Sequence, residues 1–180
     1  GLTGAADSKV VSGSIWLRKG GSDGATERII TPVTIAGGAL FVGGFRISKN
    51  TGNGISLQAQ NAAGTNILIA TTTNGSFVSG GSWSNLLFSF NLANAAERHM
   101  YWNDVSDASW ATYTDDTIDQ TQGDWGIGAF PDGTLPYVGD MDEFWLAFGG
   151  SVIDFSVTAN RRKFIDAAGL PVDLGSDGST

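Results

Sequence analysis

The sequence predicts an all-β protein, an antiparallel sandwich or barrel with one short helix near its C-terminus. Apolar and polar residues alternate along many short segments, which is the period of a half-buried strand. Clusters of turn-forming residues separate these segments roughly every ten residues. The chain contains 26 Gly and only 4 Pro, a composition that favours turns between strands. Its 180 residues suffice for one domain with a sizeable core.

The first half of the chain reads as a meander of antiparallel strands. Each segment is followed by a short polar loop, such as 50–54 or 62–64, and short loops favour antiparallel pairing of consecutive strands. The predicted strands of this half are 10–18, 28–35, 39–48, 54–60 and 66–72.

The clearest strand is 83–92, in which one face is apolar and the other mostly polar. The residues predicted to face the core are Leu86, Phe88 and Phe90. A second strand, 98–102, follows and ends at Asn103-Asp104, a pair that tolerates left-handed backbone conformations and suits a tight turn. Later strands are predicted at 124–129 and 137–148.

One segment, 156–168, has the pattern of a helix. Ser156 or Thr158 can cap its N-terminus, and Gly169 followed by Pro171 can end it. The remaining residues, 172–180, are small and polar, and we expect an extended tail that continues into a longer protein.

Charge and composition exclude several kinds of partner. The formal net charge is −8, so nucleic acid and anionic membranes are repelled on average. The sequence has no apolar run long enough for a transmembrane helix and no signal-like start. It has no Cys, so disulfides and thiolate metal sites are excluded.

Four short motifs follow one another in the later part of the chain. Their sequences are W-S-N-L-L-F-S-F-N at 83–91, M-Y-W-N-D at 100–104, I-G at 127–128 and G-D-M-D-E-F-W-L at 139–146. In spacing and apolar parity they resemble the W-h-h-v-a-v-t-y-d, l-Y-v-D-G, i-G and G-x-i-D-E-v-r-i motifs of laminin-G-like (LamG) domains. These domains belong to the concanavalin A-like lectin and glucanase superfamily.

The resemblance implies a jelly-roll β-sandwich over 1–171 and a binding role, with a polysaccharide or other cell-surface glycan as the partner. The closing segment, 153–178, resembles the ends of LamG-like domains in tailed-phage and prophage structural proteins. This implies a virion or extracellular location, contacts with other virion proteins, and an oligomer as one option. A purely structural module that contacts only protein is the alternative of a different class.

A catalytic role is not expected. The superfamily's glucanases place carboxylates on alternate residues of one strand, in an E-x-D-x-x-E style. The nearest approach here is Asp140, Asp142 and Glu143, which the resemblance assigns to a non-catalytic strand. The single histidine, His99, reads as a half-exposed strand residue. A glucanase or lyase remains the third alternative.

Aromatic and polar residues in and beside the later loops are the candidate ligand site, because flat apolar rings and polar edges suit sugars. Packing of a long loop against the sandwich is the alternative explanation. The candidate ligand-binding residues are Tyr101, Asn103, Asp104, Trp110, Tyr113, Trp125, Phe130 and Tyr137.

The resemblance also implies a structural calcium ion held by Asp142. One carboxylate is not enough for this hard cation, so Asp23 or Glu27 and backbone carbonyls would complete the site. Alternatively, Asp142 orders a turn through backbone hydrogen bonds. The basic run 161–163 is either a solvated helix face or a contact with another domain or subunit.

Overall fold

A computed structural model of the chain describes residues 6–33, 44–73 and 76–175. Within these ranges the chain forms two antiparallel sheets and one short helix, which confirms the predicted all-β sandwich. No helix in these ranges has the length and apolar character needed to span a membrane.

The two sheets have five and six strands. The five-stranded sheet has the order β11-β1-β6-β7-β8. Its strands are β1 (Val10–Lys19), β6 (Ser84–Asn91), β7 (Asn94–Trp102), β8 (Val105–Ser106) and β11 (Gly139–Phe148). The six-stranded sheet has the order β10-β2-β3-β4-β5-β9. Its strands are β2 (Glu27–Val33), β3 (Gly44–Lys49), β4 (Ile55–Gln60), β5 (Asn66–Thr71), β9 (Ser109–Tyr113) and β10 (Asp124–Ile127).

The main core fills the space between the sheets. As alternation along β6 predicts, Leu86, Phe88 and Phe90 are all completely buried there. The ring of Phe45 from the opposite sheet lies 5.3 Å from that of Phe88, centroid to centroid. Gly13 on β1 makes room for the Phe88 ring, since a Cβ at this position would lie only 2.3 Å from the ring. The core packing therefore depends on contacts between neighbouring strands of one sheet and on contacts between the two sheets.

The outer face of the five-stranded sheet is covered by the end of the chain, residues 153–174, which we call the C-terminal strap. Phe155, Phe164 and Leu174 of the strap are buried in a second apolar cluster. They pack on Trp16 of β1 and Leu87 of β6, which are 3% and 0% exposed. The indole N–H of Trp16 donates to the Phe164 carbonyl at 3.3 Å. This covering explains why Leu87 lies on the otherwise polar face of its strand.

The helix predicted at 156–168 is much shorter, and the prediction of its extent is wrong. Only α1, Thr158–Arg161, is helical, and its N-cap residue makes no side-chain cap hydrogen bond. Two consecutive residues, Phe164 and Ile165, are both buried against the sheet. The chain then turns back so that Ile165 bridges to Pro171, instead of continuing as a helix.

Three further features differ from what the sequence predicts. Strand β9 was not predicted, because 109–113 lacks a clear apolar alternation. Strand β11 contains an irregularity opposite 14–16, where Glu143 adopts a left-handed φ of 42°. Leu174 in the expected tail is buried, so the ordered part of the chain extends beyond 171. The part of the predicted strand 39–48 that precedes Gly44 lies outside the described residues.

Candidate functional site

The turn between β7 and β8 presents two of the predicted ligand residues. Asn103 and Asp104 have φ of 50° and 65°, so both are left-handed, as expected for a two-residue type I′ hairpin turn. The predicted tight turn is therefore confirmed. The Asn103 side-chain oxygen accepts the Asn85 backbone N–H at 2.8 Å, and its NH₂ lies 3.4 Å from the Ser84 hydroxyl. These bonds hold the turn against the start of β6.

Asp104 is fixed by the strap. Both of its carboxylate oxygens accept hydrogen bonds, one from Arg161 and the other, at 2.6 Å, from Arg162. The hydrogen bond from Arg162 is the largest of the effects that lower the pKa of Asp104. The Arg161 guanidinium also lies 4.8 Å above the ring of Tyr101. Thus Tyr101, Asn103 and Asp104 lie together, and Tyr101 supports the strap.

A small pocket opens between this turn, the start of β6 and the strap. We call it the Trp83 pocket, and its volume is about 170 Å³, on the scale of a single sugar ring. Its walls include Trp16, Trp83, Asn85, Asn103, Asp104 and Ile165. It combines indole rings with two amide side chains and one carboxylate. Such a combination provides apolar contact together with oriented hydrogen-bonding groups.

Asn85 places a buried amide in the wall of this pocket. Its side chain is 1% exposed, and its NH₂ makes only long bonds, 3.4 Å to the Ser14 hydroxyl and 3.5 Å to the Ile15 carbonyl. No described residue donates a hydrogen bond to Asn85 Oδ1. A buried acceptor left unsatisfied costs about 1–3 kcal/mol.

A larger cleft, the His99 cleft, lies at the other end of the same sheet face and has a volume of about 590 Å³. His99 Nε2 is 3.5 Å from Asp154 Oδ1, and Ser156 hydrogen bonds to Asp154 lower the pKa of that carboxyl. Both oxygens of Glu97 accept hydrogen bonds, from the side chains of Asn91 and Asn94. The carboxylates of this cleft are thus engaged within the protein.

The outer face of the six-stranded sheet is also polar. Arg46 on β3 donates to Gln58 on β4. Burial, with a further contribution from the nearby charge of Arg28, lowers the pKa of Arg46 to about 10. Arg28 itself lies with its guanidinium 4.9 Å from the ring of Phe130. On this face the two arginines thus contact a glutamine side chain and an aromatic ring.

The structure places Trp110, Tyr113 and Trp125 along the edges of the main core. Trp110 and Tyr113 lie on β9 with ring centroids 5.7 Å apart, and the guanidinium of Arg98 covers both. The Tyr113 hydroxyl donates to the Asn91 carbonyl at 2.7 Å, and burial raises its pKa to about 12. Trp125 packs 5.5 Å from Phe148. All three are partly buried parts of the packing.

Phe130 and Tyr137 are buried more deeply, at 4% and 8% exposure. Tyr137 stacks on Phe77 at 6.3 Å, its hydroxyl donates to the Arg18 carbonyl at 2.9 Å, and burial raises its pKa. Neither ring presents a free face to a ligand. The packing explanation of the 110–137 segment therefore accounts for its aromatic residues better than a ligand site does.

The residues expected to hold calcium are engaged in separate contacts. Asp142 Oδ1 accepts the Glu143 backbone N–H at 2.9 Å, as in the alternative turn-ordering role. Asp23 accepts the backbone N–H and hydroxyl of Ser79 at 2.8 and 3.2 Å. Glu27 forms an ion pair with Lys19. No three acidic, His or Cys side chains among the described residues gather into a possible metal site.

Sequence reasoning missed most of the pocket. Trp83 and Asn85 are not among the predicted ligand residues, although both line the pocket. The run 161–163 was expected either to be solvated or to contact another domain, whereas Arg161 and Arg162 bind Asp104 within the same chain. No local signal distinguished Asn85 from the other polar residues of β6, which are Ser84, Ser89 and Asn91.

Comparisons with known proteins provide structural similarity only. Neither the models of known protein families nor the curated proteins include a match. Among solved structures, a Bacteroides ovatus protein named for an inferred carbohydrate-binding role matches 98% of this chain. The TM-score is 0.62 at 13% identity, and the match spans 48% of that protein, about half its length. This likeness supports the jelly-roll fold.

Two weaker structural matches were also found. Domain 4 of the extracellular GH43 arabinanase AbnA from Geobacillus stearothermophilus, in complex with arabinotriose, matches with a TM-score of 0.48 and 16% identity. The match covers 85% of this chain and 66% of that one. A heptameric SAP-like pentraxin from Limulus polyphemus matches with a TM-score of 0.44 and 14% identity, covering 78% and 65%.

Proposed function

We propose that this chain is a non-catalytic glycan-binding module and that the Trp83 pocket holds a sugar residue. The observation that carries the proposal is the Trp83 pocket itself, in which two indole rings lie beside the amide side chains of Asn85 and Asn103. A sugar supplies C–H groups for the indole rings and hydroxyl groups for the polar side chains. The Bacteroides ovatus protein, whose name gives an inferred carbohydrate-binding role, supports this function through its similar fold.

The absence of catalysis is part of the proposal. Asp140, on the strand with the nearest approach to a glucanase motif, is paired with Arg18 at 2.8 Å. Glu97 and Asp154 in the His99 cleft are held by hydrogen bonds from their neighbours. A glycoside hydrolase needs one carboxyl group free to act as an acid and a second free to act as a base or nucleophile. Incubation with laminarin and alginate should release no reducing ends or unsaturated products.

Binding to a glycan array tests the proposal directly. Trp83→Ala should weaken binding of the captured glycan about tenfold or more, since it removes an aromatic wall. Trp83→Phe should keep most of the affinity because it keeps a flat ring. Trp110→Ala is the matched control, because Trp110 is a partly buried aromatic residue on the opposite sheet and should leave affinity unchanged. Melting temperatures of all variants establish that each is folded.

Two results would contradict the proposal. One is the failure of the wild-type chain to bind any glycan on a broad array. The other is equal loss of affinity in Trp83→Ala and Trp110→Ala, which would indicate an effect of stability and not of the pocket. A purely structural, protein-binding module would give the first result.

We further propose that the module acts on a phage or prophage virion. The support is the resemblance of its closing segment to the ends of LamG-like virion domains. Antibodies against the chain should label particles purified from its source, together with other virion proteins. Absence of the chain from purified particles would contradict the proposed virion location and would leave the proposed glycan binding untouched.

A further inference from the structure

Two guanidiniums bind the single carboxylate among the residues that line the Trp83 pocket. Asp104 provides one carboxylate for two guanidiniums, those of Arg161 and Arg162. Each oxygen of Asp104 accepts a hydrogen bond from one of these arginines. The carboxylate of the pocket is thus paired with two guanidiniums.

The Arg161 side chain makes four hydrogen bonds, whereas the Arg162 side chain makes one. Besides Asp104, Arg161 donates to the carbonyls of Phe155 and Ser156 and to the Thr158 hydroxyl. Arg162 makes a single hydrogen bond through Nη2, and its side chain is 37% exposed. A guanidinium carries five N–H donors, so Arg162 retains most of its capacity.

The other charged groups near these arginines balance one another. Arg18, whose guanidinium lies 5.1 Å from the Trp83 ring, is paired with Asp140, and Asp166 lies close enough to affect the pKa of Arg162. Arg162 therefore differs from its neighbours in its exposure and its remaining N–H donors.

We infer that the Trp83 pocket selects acidic saccharides, with Arg162 contacting the carboxylate or sulfate of the sugar. This inference rests on the proposed glycan-binding function and names its ligand class. An arginine fork matches a planar carboxylate or a sulfate in geometry as well as in charge.

Polygalacturonate and its fully methyl-esterified form are the matched probes, since esterification removes the charge and keeps the backbone. Other acidic polymers, alginate and hyaluronan, and the neutral polymers arabinan and xylan complete the set. The wild-type chain should bind at least one acidic polymer and bind neutral ones more weakly. The affinity should fall as salt is raised, because ions screen the contact.

Arg162→Gln should weaken binding to the acidic polymer about tenfold, the effect of losing one charged hydrogen bond. Arg162→Lys keeps the charge and should restore part of the affinity. Lys9→Gln is the control of equal charge change, because Lys9 pairs with Asp115 elsewhere. Melting temperatures should show that the three variants are folded.

The outcomes separate this inference from the function on which it rests. Binding of neutral polymers that equals or exceeds binding of acidic ones would overturn the inference and leave glycan binding in place. Equal effects of Arg162→Gln and Lys9→Gln would also overturn it. Binding to no polymer, acidic or neutral, would overturn both.

Discussion

Lys19 Nζ lies 3.0 Å from the Glu27 carboxylate in an ion pair that is almost inaccessible to solvent, with side chains 0% and 6% exposed. The pair joins the end of β1 to the start of β2. Glu27 also accepts the Val138 backbone N–H at 3.0 Å, and Lys19 contacts the Val138 carbonyl at 3.4 Å. One carboxylate therefore connects three separate parts of the chain.

A second buried cation lies near this pair. Lys49 is 0% exposed and donates to the Ala25 carbonyl at 3.1 Å. Burial lowers its pKa most strongly, the charge of Glu27 opposes this, and the like charge of Lys19 adds to it. Glu27 thus compensates two ammonium groups at once.

Glu27→Gln should destabilise the fold by about 3–5 kcal/mol, because it leaves buried positive charge without its counter-ion. The measurement is the free energy of unfolding from a urea titration. Asp115→Asn is the control, since it breaks an exposed pair with Lys9 and should cost less than about 1 kcal/mol. Equal losses in the two variants would show that Glu27 has no special role.

Calcium should not stabilise this protein. The oxygens of Glu27, Ala25 and Val138 that a cation near β2 could use already contact lysine ammonium groups. A ligand that binds only the native state stabilises it by RT ln(1 + [L]/Kd) and so raises the melting temperature. We therefore expect the same melting temperature in millimolar calcium and in chelator. A clear rise with calcium would instead support an ion at Asp142.

Asp104 should contribute to stability above about pH 4 and not in strong acid. Its pKa is lowered in the folded protein, chiefly by the hydrogen bond from Arg162, so the native state prefers the ionised form. That contribution is complete above the unfolded pKa near 3.8 and is lost as pH falls through the folded value.

Asp104→Asn isolates this effect, because Asn tolerates the left-handed backbone of the turn. It should cost about 1–2 kcal/mol at pH 7. The difference from wild type should stay constant down to about pH 4 and shrink below it. Unfolding free energies measured from pH 7 to pH 2 test this, and a difference that does not depend on pH would contradict it.

Local alternation made the sandwich predictable, and long-range contact made its outer face unpredictable. Leu86 and Phe88 could be assigned to the core because their period repeats within one strand. The burial of Leu87 depends on Phe164, far along the sequence, so no local pattern could indicate it. The same cause shortened the predicted helix, since contact with the sheet outweighed the helical pattern after Arg161.

The candidate site likewise has one part that local sequence predicts and another that depends on long-range contacts. The turn at Asn103 was predictable because Asn-Asp is a local signal for left-handed backbone. The pairing of Asp104 with Arg162 joins residues from distant parts of the chain and required the folded structure. Aromatic residues such as Phe130 suggested a ligand platform because composition alone does not distinguish an exposed ring from a buried one.

Leu174 should be required for full stability, although it lies in the segment expected to be a tail. It is 4% exposed, it packs in the second apolar cluster, and its N–H donates to Glu143 at 3.0 Å. Leu174→Ala should cost about 2 kcal/mol, at the low end for a buried leucine. Leu170→Ala is the control, because Leu170 is 57% exposed and should be nearly neutral. Urea unfolding measures both, and a neutral Leu174→Ala would place the end of the domain before this residue.

Gly13→Ala should destabilise the fold because the core has no room for the added methyl group. The backbone conformation at this position does not itself require glycine. A Cβ at Gly13 would lie 2.3 Å from one Phe88 ring carbon and 2.9 Å from two others. Phe88 cannot easily move, because it is fully buried and in contact with Phe45. Overpacking of this kind costs about 1–3 kcal/mol.

Gly123→Ala adds the same methyl group where no atom lies within 4 Å, and it should change the unfolding free energy by less than about 0.5 kcal/mol. If both variants are neutral in a urea titration, the sheets can separate enough to admit a methyl group, and the core is less tightly packed than the Phe45 and Phe88 contact indicates.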